Sequence, residues 1–203
     1  MHMFNLSPDE EKIFNRLDSP MKIQDYLNSL SCNFEKKGDT CLSPRKVIEE
    51  GHAHCIEGAS LAAAILWYHG EKPLVMDLKA SRGDFDHVVC VFKRNGHWGA
   101  ISKSNHAVLR YREPVYKTIR ELVLSYFHEY FVDNGRKTLR SYTRPLSLKR
   151  FGTEWITQKE PIWDIGAALY DAKHFELLSD KMIGELRKAD EIEIEAGKLV
   201  EYK

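Results

Sequence analysis

Charge of one sign, long apolar runs, paired cysteines and internal repeats are all missing from this 203-residue sequence. Lys+Arg and Asp+Glu both number 30, so the formal net charge is zero. A protein held to nucleic acid mainly through phosphates carries a basic excess, so nucleic acid is not an expected partner. No apolar run approaches the ~20 residues that cross a bilayer, so a membrane is not expected either. The opening stretch, MHMFNLSPDEEK, lacks the basic flank and apolar core of a signal peptide, which makes the cytoplasm the expected compartment. The four cysteines, Cys32, Cys41, Cys55 and Cys90, form no CxxC pair and are too few to staple a chain of this length. Reduced thiols are therefore expected, with Cys90 a small core residue inside an apolar strand. Without repeats, low-complexity tracts or a linker, the chain reads as a single domain over residues 1–203.

The punctuation of the first third is regular. Ser7-Pro8, Ser19-Pro20 and Ser43-Pro44 each place a capping hydroxyl before a proline suited to a first helical turn, and Gly51 stops the third helix. A polar loop, SCNFEKKGDTC, separates the second and third. From Cys55 to His69 the sequence is apolar nearly all round, the pattern of a buried helix, and Gly70 ends it. Pro73 to Leu78 reads as a buried strand and SRGDFD as an exposed loop. Asn95-Gly96, between two apolar runs, marks a two-residue hairpin turn. Further on, Val115 to Tyr130 shows helical spacing of Ile119, Leu122, Val123, Tyr126 and Phe127. TLRSYTRPLSLKRF suggests short strands broken at Pro145, and DKMIGELRKAD a charged amphipathic helix. EIEIEAGKLVEYK suggests a last strand pair or a frayed end. The fold class that follows is α+β.

Chemistry concentrates in Gly51–Ser104. Cys55 opens the apolar helix, where unpaired amides and the helix dipole favour a thiolate and a backbone amide can face an oxyanion. His87 opens a strand 32 residues later, far enough for the chain to bring an imidazole back to the sulfur. With Asn95 and Gly96 as the turn, paired positions sum to 191, which sets Cys90 opposite Ile101 and His87 opposite Ser104. Residues two apart share a face, so Ser104 and its neighbour Ser102 both lie on the face of His87, within its reach. Asn105 points away unless the strand ends early.

A cysteine at a helix start, a histidine at a strand start and a tryptophan-led strand after it resemble the transglutaminase-like core of the papain-related cysteine enzymes. The resemblance covers about a quarter of the chain. It aligns Cys55 with the family nucleophile, His87 in DHVVCVF with the catalytic histidine, and Ser102 in WGAIS with the position of the orienting aspartate. The sequence departs from the pattern at Ser102 and at Ala53, where a glycine is usual. The resemblance implies a buried cysteine-bearing helix packed on an antiparallel sheet over 51–104, preceded by helices over 1–50 and followed by a family-specific helical and strand extension over 105–203. It also implies acyl transfer from a peptide or small amide or ester, by hydrolysis or to an amine, with Cys55, His87 and Ser102 (or Ser104 or Asn105) as the site and no cofactor. Two other readings stand beside it. One is a domain that keeps the fold as a binding scaffold without the acid. The other is a zinc protein using His52, His54 and Cys55. Glu57, near the same helix start, reads first as a favourable charge at a helix N-terminus, and otherwise as a supporting group of the site. Composition says nothing of oligomeric state.

Overall fold

The computed structural model describes residues 4–36 and 38–203; Met1–Met3, and Lys37 of the polar loop, lie outside them. The three Ser-Pro pairs start the first three helices: α1 (Pro8–Arg16), α2 (Pro20–Ser29) and α3 (Pro44–Glu50). Ser7, Ser19 and Ser43 each accept the amide three residues on, satisfying one of the four amides that a helix start leaves unpaired. Gly51 ends α3 in the left-handed region (φ 68°), where a side chain would be disfavoured.

Two short parallel strands, β1 (Ser31–Cys32) and β2 (His52–Ala53), pair Cys32 with Ala53 and deliver the chain to α4 (Cys55–Tyr68). Every residue of α4 from Glu57 to Trp67 is buried. Fully burying side chains such as Leu61, Ile65 and Leu66 contributes roughly 1.5–3 kcal/mol each, so this helix is the axis of its side of the core.

The main sheet contains β3 (Leu74–Ala80), β4 (His87–Arg94), β5 (His97–Ile101), β6 (Arg112–Tyr116), β7 (Leu139–Thr143), β8 (Leu146–Ser147) and β9 (His174–Glu176). The order is β6-β5-β4-β3-β7-β9, with β8 also on β3, and every pairing is antiparallel. The β4–β5 hairpin keeps the expected register from Arg94 opposite His97 to Cys90 opposite Ile101. Strand alternation divides the core. Val88, Cys90 and Phe92 pack with α1–α4 on one face, while Val89, Val91 and Ala100 pack on the other with α5 (Ile119–Phe127). The fold is thus α+β, with a cysteine-bearing buried helix on an antiparallel sheet. Residues 105–203 supply β6, β7, β8 and β9 to that same sheet. The rest of this region adds α6 (Trp163–Tyr170), α7 (Asp180–Gly184) and α8 (Glu191–Gly197).

Two expectations change. Helical spacing suggests one helix from Val115 to Tyr130, but Arg112–Tyr116 pairs with β5 as an edge strand, a position that tolerates Pro114. The helix begins at Ile119, after a Thr118–Glu121 capping box. The tail is not a strand pair: Asp190 and Glu193 form another capping box and EIEIE winds into α8. The strand-like pairing of this segment is confined to an isolated bridge between His106 and Val200. Among the described residues no helix is long and apolar enough to cross a membrane.

Close packing between α4 and the end of β5 leaves no room at Gly58, where an added Cβ would lie 2.6 Å from the Cβ of Lys103. That neighbour is the stem of a buried side chain whose ammonium donates to the carbonyls of Leu27 and Leu30, so it has nowhere to swing. Gly58→Ala gains about 1 kcal/mol of helix propensity, yet overpacking costs about 1–3 kcal/mol. A net loss of stability is expected, read as a lower urea midpoint.

Candidate active site

Cys55 is the first residue of α4 and His87 the first of β4. Both line one cleft of about 680 Å³, together with His54, Cys32, Leu109 and Tyr130. The side chains of His54 and His87 both stand beside the Cys55 sulfur, near enough to shift its ionisation. His87 is itself buried and shares the sheet face of Val89 and Val91, opposite the face that α4 covers. Cysteine and histidine therefore meet around the end of the sheet and not across it.

The third position resolves among the three sequence candidates. His87 Nε2 lies 2.8 Å from Ser102 Oγ. Ser104 instead bonds the Val108 carbonyl, and Asn105 bonds the backbone of Tyr202 in the tail. Ser102 follows directly after β5, and its backbone continues the strand against a side chain: Gln24 of α2 accepts from the Ser102 amide (2.9 Å) and donates to its carbonyl (2.8 Å). Such a doubly bonded amide mimics a ladder partner and fixes where the hydroxyl stands.

Proton counting then sets the ring. A hydroxyl has one proton to give. Ser102 Oγ lies 2.6 Å from the carbonyl oxygen of Leu109, which can only accept. The serine proton is committed there, so Oγ accepts from His87 and Nε2 carries hydrogen. In the neutral ring Nδ1 is then the unprotonated nitrogen. Leu109 holds its carbonyl in place from a left-handed backbone (φ 59°), a conformation costing a non-glycine residue about 1 kcal/mol or more. Its amide donates to Glu129, which Arg112 also grips at 2.6 Å. Arg110 pairs with Glu201. Both arginines are thus occupied in bracing this loop.

On the other side of the sulfur stands a group that sequence reasoning undervalued. Glu57, in the first turn of α4, has 0% exposure. It accepts from the His54 amide (3.0 Å), the Leu42 amide (2.9 Å), Thr40 Oγ1 (2.8 Å) and Asn33 Nδ2 (3.0 Å). It does cap the helix, as expected, but it also gathers the 33–42 loop and approaches the His54 ring at 3.3 Å. The signal available was the spacing of His54 and Glu57, a capping-box spacing. Nothing local announced the loop that folds onto it.

Ionisation follows these contacts. Burial alone raises the Cys55 thiol, but the hydrogen bonds from His54 and His87 outweigh it and bring the value down from 9.0 to about 5. Burial likewise opposes the Glu57 charge, yet His54 and the other donors hold the carboxyl down at about 2. The three remaining thiols are raised by burial. Cys90 lies wholly in the core, as expected.

The HAHC run does not converge on a metal position. His52 faces Glu50 at 3.3 Å, while His54 turns toward Glu57 and the Thr40 carbonyl. Among the described residues no group of three or more His, Cys, Asp and Glu side chains is placed to hold a metal ion.

The serine relay predicts its own failure. Ser102→Ala leaves the buried Nε2–H without an acceptor and the Leu109 carbonyl without a donor, expected to cost about 1–3 kcal/mol. Ser102→Asp is expected not to recover this, because a carboxylate has no proton to give the Leu109 carbonyl 2.6 Å away. Urea unfolding checks the stability, and nitrogen chemical shifts of the His87 ring check loss of the Nε2–H tautomer. No protein-family model matches the sequence, and no curated protein matches it.

Proposed function

We propose that this chain is a cysteine-dependent acyl-transfer enzyme with a transglutaminase-like, papain-related core, acting on a peptide or a small amide or ester. The observation that supports this reading best is the Ser102–Leu109 relay, which occupies Nε2 of His87 and leaves Nδ1 as the nitrogen free to take a proton. Nδ1 takes the Cys55 proton, and the thiolate attacks the substrate carbonyl carbon. A C–S bond forms while the amide of Cys55, unpaired in the first turn of the helix, offers a donor to the oxyanion. The bond to the leaving nitrogen or oxygen breaks, and the Nδ1 proton goes to the leaving group. Water, or an amine, then gives a proton to Nδ1 and attacks the thioester. The C–S bond breaks and the thiolate returns beside a protonated His87. This chemistry calls for no cofactor.

One observation favours a second reading, a transglutaminase-like binding domain without turnover. Ser102 brings no charge to its side of His87, whereas a carboxylate there would stabilise the imidazolium.

Thiol reactivity and acyl transfer separate the two. The thiolate is the reacting form, and the folded Cys55 value is lowered to about 5. Alkylation of Cys55 by iodoacetamide should therefore climb through about pH 5 and level off before neutrality. Cys32, raised from 9.0 by burial, should still be climbing above pH 9. With p-nitrophenyl acetate, mass spectrometry is expected to show acetylation of Cys55, and His87→Ala to slow hydrolysis of that acetyl-enzyme about 10²–10⁴-fold. A Cys55 that alkylates no faster than Cys32 at neutral pH would sink the enzyme reading. Fast alkylation without acylation by esters or peptide amides would favour the binding domain.

A further inference from the structure

The cysteine has two imidazoles beside it, and their backing differs. His87 rests on a neutral relay, the Ser102 hydroxyl and then the Leu109 carbonyl. His54 rests on charge. Its Nε2 lies 3.1 Å from the Thr40 carbonyl, 3.3 Å from Glu57 Oε1 and 3.5 Å from Glu35 Oε1. A carbonyl oxygen only accepts, so Nε2 carries a proton, and that proton faces two carboxylates. One of them, Glu57, is wholly buried and held ionised by four other donors. A buried carboxylate needs a partner of opposite charge, and among the described residues no lysine or arginine is paired with it. The ring's remaining nitrogen is the one available to Cys55, the next residue in the chain, which lines the same cleft.

We propose that His54, held by Glu57, is a second catalytic imidazole, a standing imidazolium that supplies the counter-charge of the Cys55 thiolate. This inference rests on the proposed acyl-transfer reading and divides its labour. His54 keeps its protons throughout, so the thiolate stays ionised before attack and is a better leaving group when the thioester is resolved. His87 is then free to move protons, which a neutral orienter suits. Glu57 is a positioning residue: it acts on the sulfur only through His54. The carboxylate that the Ser102 position lacks is thus supplied from the opposite side of the nucleophile. The other ionisable groups near His54 are Glu35 in the loop after β1, Cys32 on β1, and, across the sulfur, His87. Lys103 lies beyond Cys32, and burial lowers it. The direction at His54 agrees with the geometry. Burial disfavours the charged ring, but Cys55 and Glu57 raise it well above the usual histidine value.

The test titrates Cys55 by thiolate absorbance near 240 nm in the full chain with Cys32, Cys41 and Cys90 replaced by serine or alanine, checked against iodoacetamide rates. His54→Gln is expected to move the midpoint up by at least about one pH unit, with alkylation below the midpoint slowed roughly tenfold. His87→Ala is expected to leave Cys55 a thiolate at pH 7 while hydrolysis of the acetyl-enzyme formed with p-nitrophenyl acetate slows about 10²–10⁴-fold. Glu57→Gln should repeat the His54→Gln shift; should it not fold, nitrogen NMR of the wild-type His54 ring gives the same information without a variant. Both ring nitrogens protonated at pH 7 supports the imidazolium, and a neutral ring overturns it. A His54→Gln midpoint equal to wild type also overturns it, and leaves the acyl-transfer reading standing. A wild-type Cys55 that titrates near 9 removes that reading itself, and this inference with it.

Discussion

The Glu57 carboxylate is the constraint around which this end of the molecule is organised. A buried carboxylate without donors would be expelled or neutralised, so its presence in the first turn of α4 dictates what surrounds it. The 33–42 loop is polar and short of apolar residues, and it has little core of its own to fold against. It is fixed instead by offering Asn33, Thr40 and the Leu42 amide to one acceptor. The same oxygens draw back the His54 amide and set the entry angle of the helix. Position, charge and loop conformation are therefore coupled at Cys55: the helix cannot start elsewhere without leaving Glu57 unsatisfied.

The sheet meets this constraint from the other side. β4 and β5 run in register only as far as Cys90 and Ile101, and beyond that point the ladder is replaced by side-chain bonds. Gln24 takes the place of a strand partner for Ser102. The Leu109 carbonyl receives the serine proton from a backbone conformation that no local preference of leucine favours. Strain of this kind persists where the surroundings over-determine it. Here Glu129 and Arg112 hold the loop from behind, and the tail adds the Asn105–Tyr202 and Arg110–Glu201 contacts. The hydroxyl that orients His87 thus depends on α2, the 104–110 loop and the tail together.

Much of this was legible in the sequence where the determinants are local. Each Ser-Pro start, the Gly51 stop, the all-apolar α4 and the Asn95-Gly96 register carry their physics within a few residues, and all appear in the structure. Ser102 could be placed on the face of His87 from the turn alone. The choice among Ser102, Ser104 and Asn105 could not, because it is made by Gln24 from 78 residues away and by where the ladder ends. Val115–Tyr130 misled because its apolar spacing suits a helix, while an edge position beside β5 took the first residues as strand. EIEIE misled in the opposite sense: its alternation suits a strand, but the Asp190–Glu193 capping box starts a helix there. Glu57 was visible as a helix-start acid. Its burial was not, since that depends on a loop with no periodicity to read.

A serine at the position of an orienting acid is usually read as loss. The charges around Cys55 argue for a different account within the proposed chemistry. A carboxylate at Ser102 would add a third negative group to the thiolate and Glu57, whose charges the two imidazoles beside the sulfur already balance. It would also face the Leu109 carbonyl without a proton to give. A neutral hydroxyl avoids both penalties, since it still fixes the tautomer of His87 and leaves the ring's charge free to change. The one permanent carboxylate beneath the nucleophile then belongs on the helix that carries the cysteine, where the first-turn amides and the dipole favour it. On this account Ser102 and Glu57 are linked choices: with the buried negative charge placed at Glu57, the opposite arm of the site works best without one.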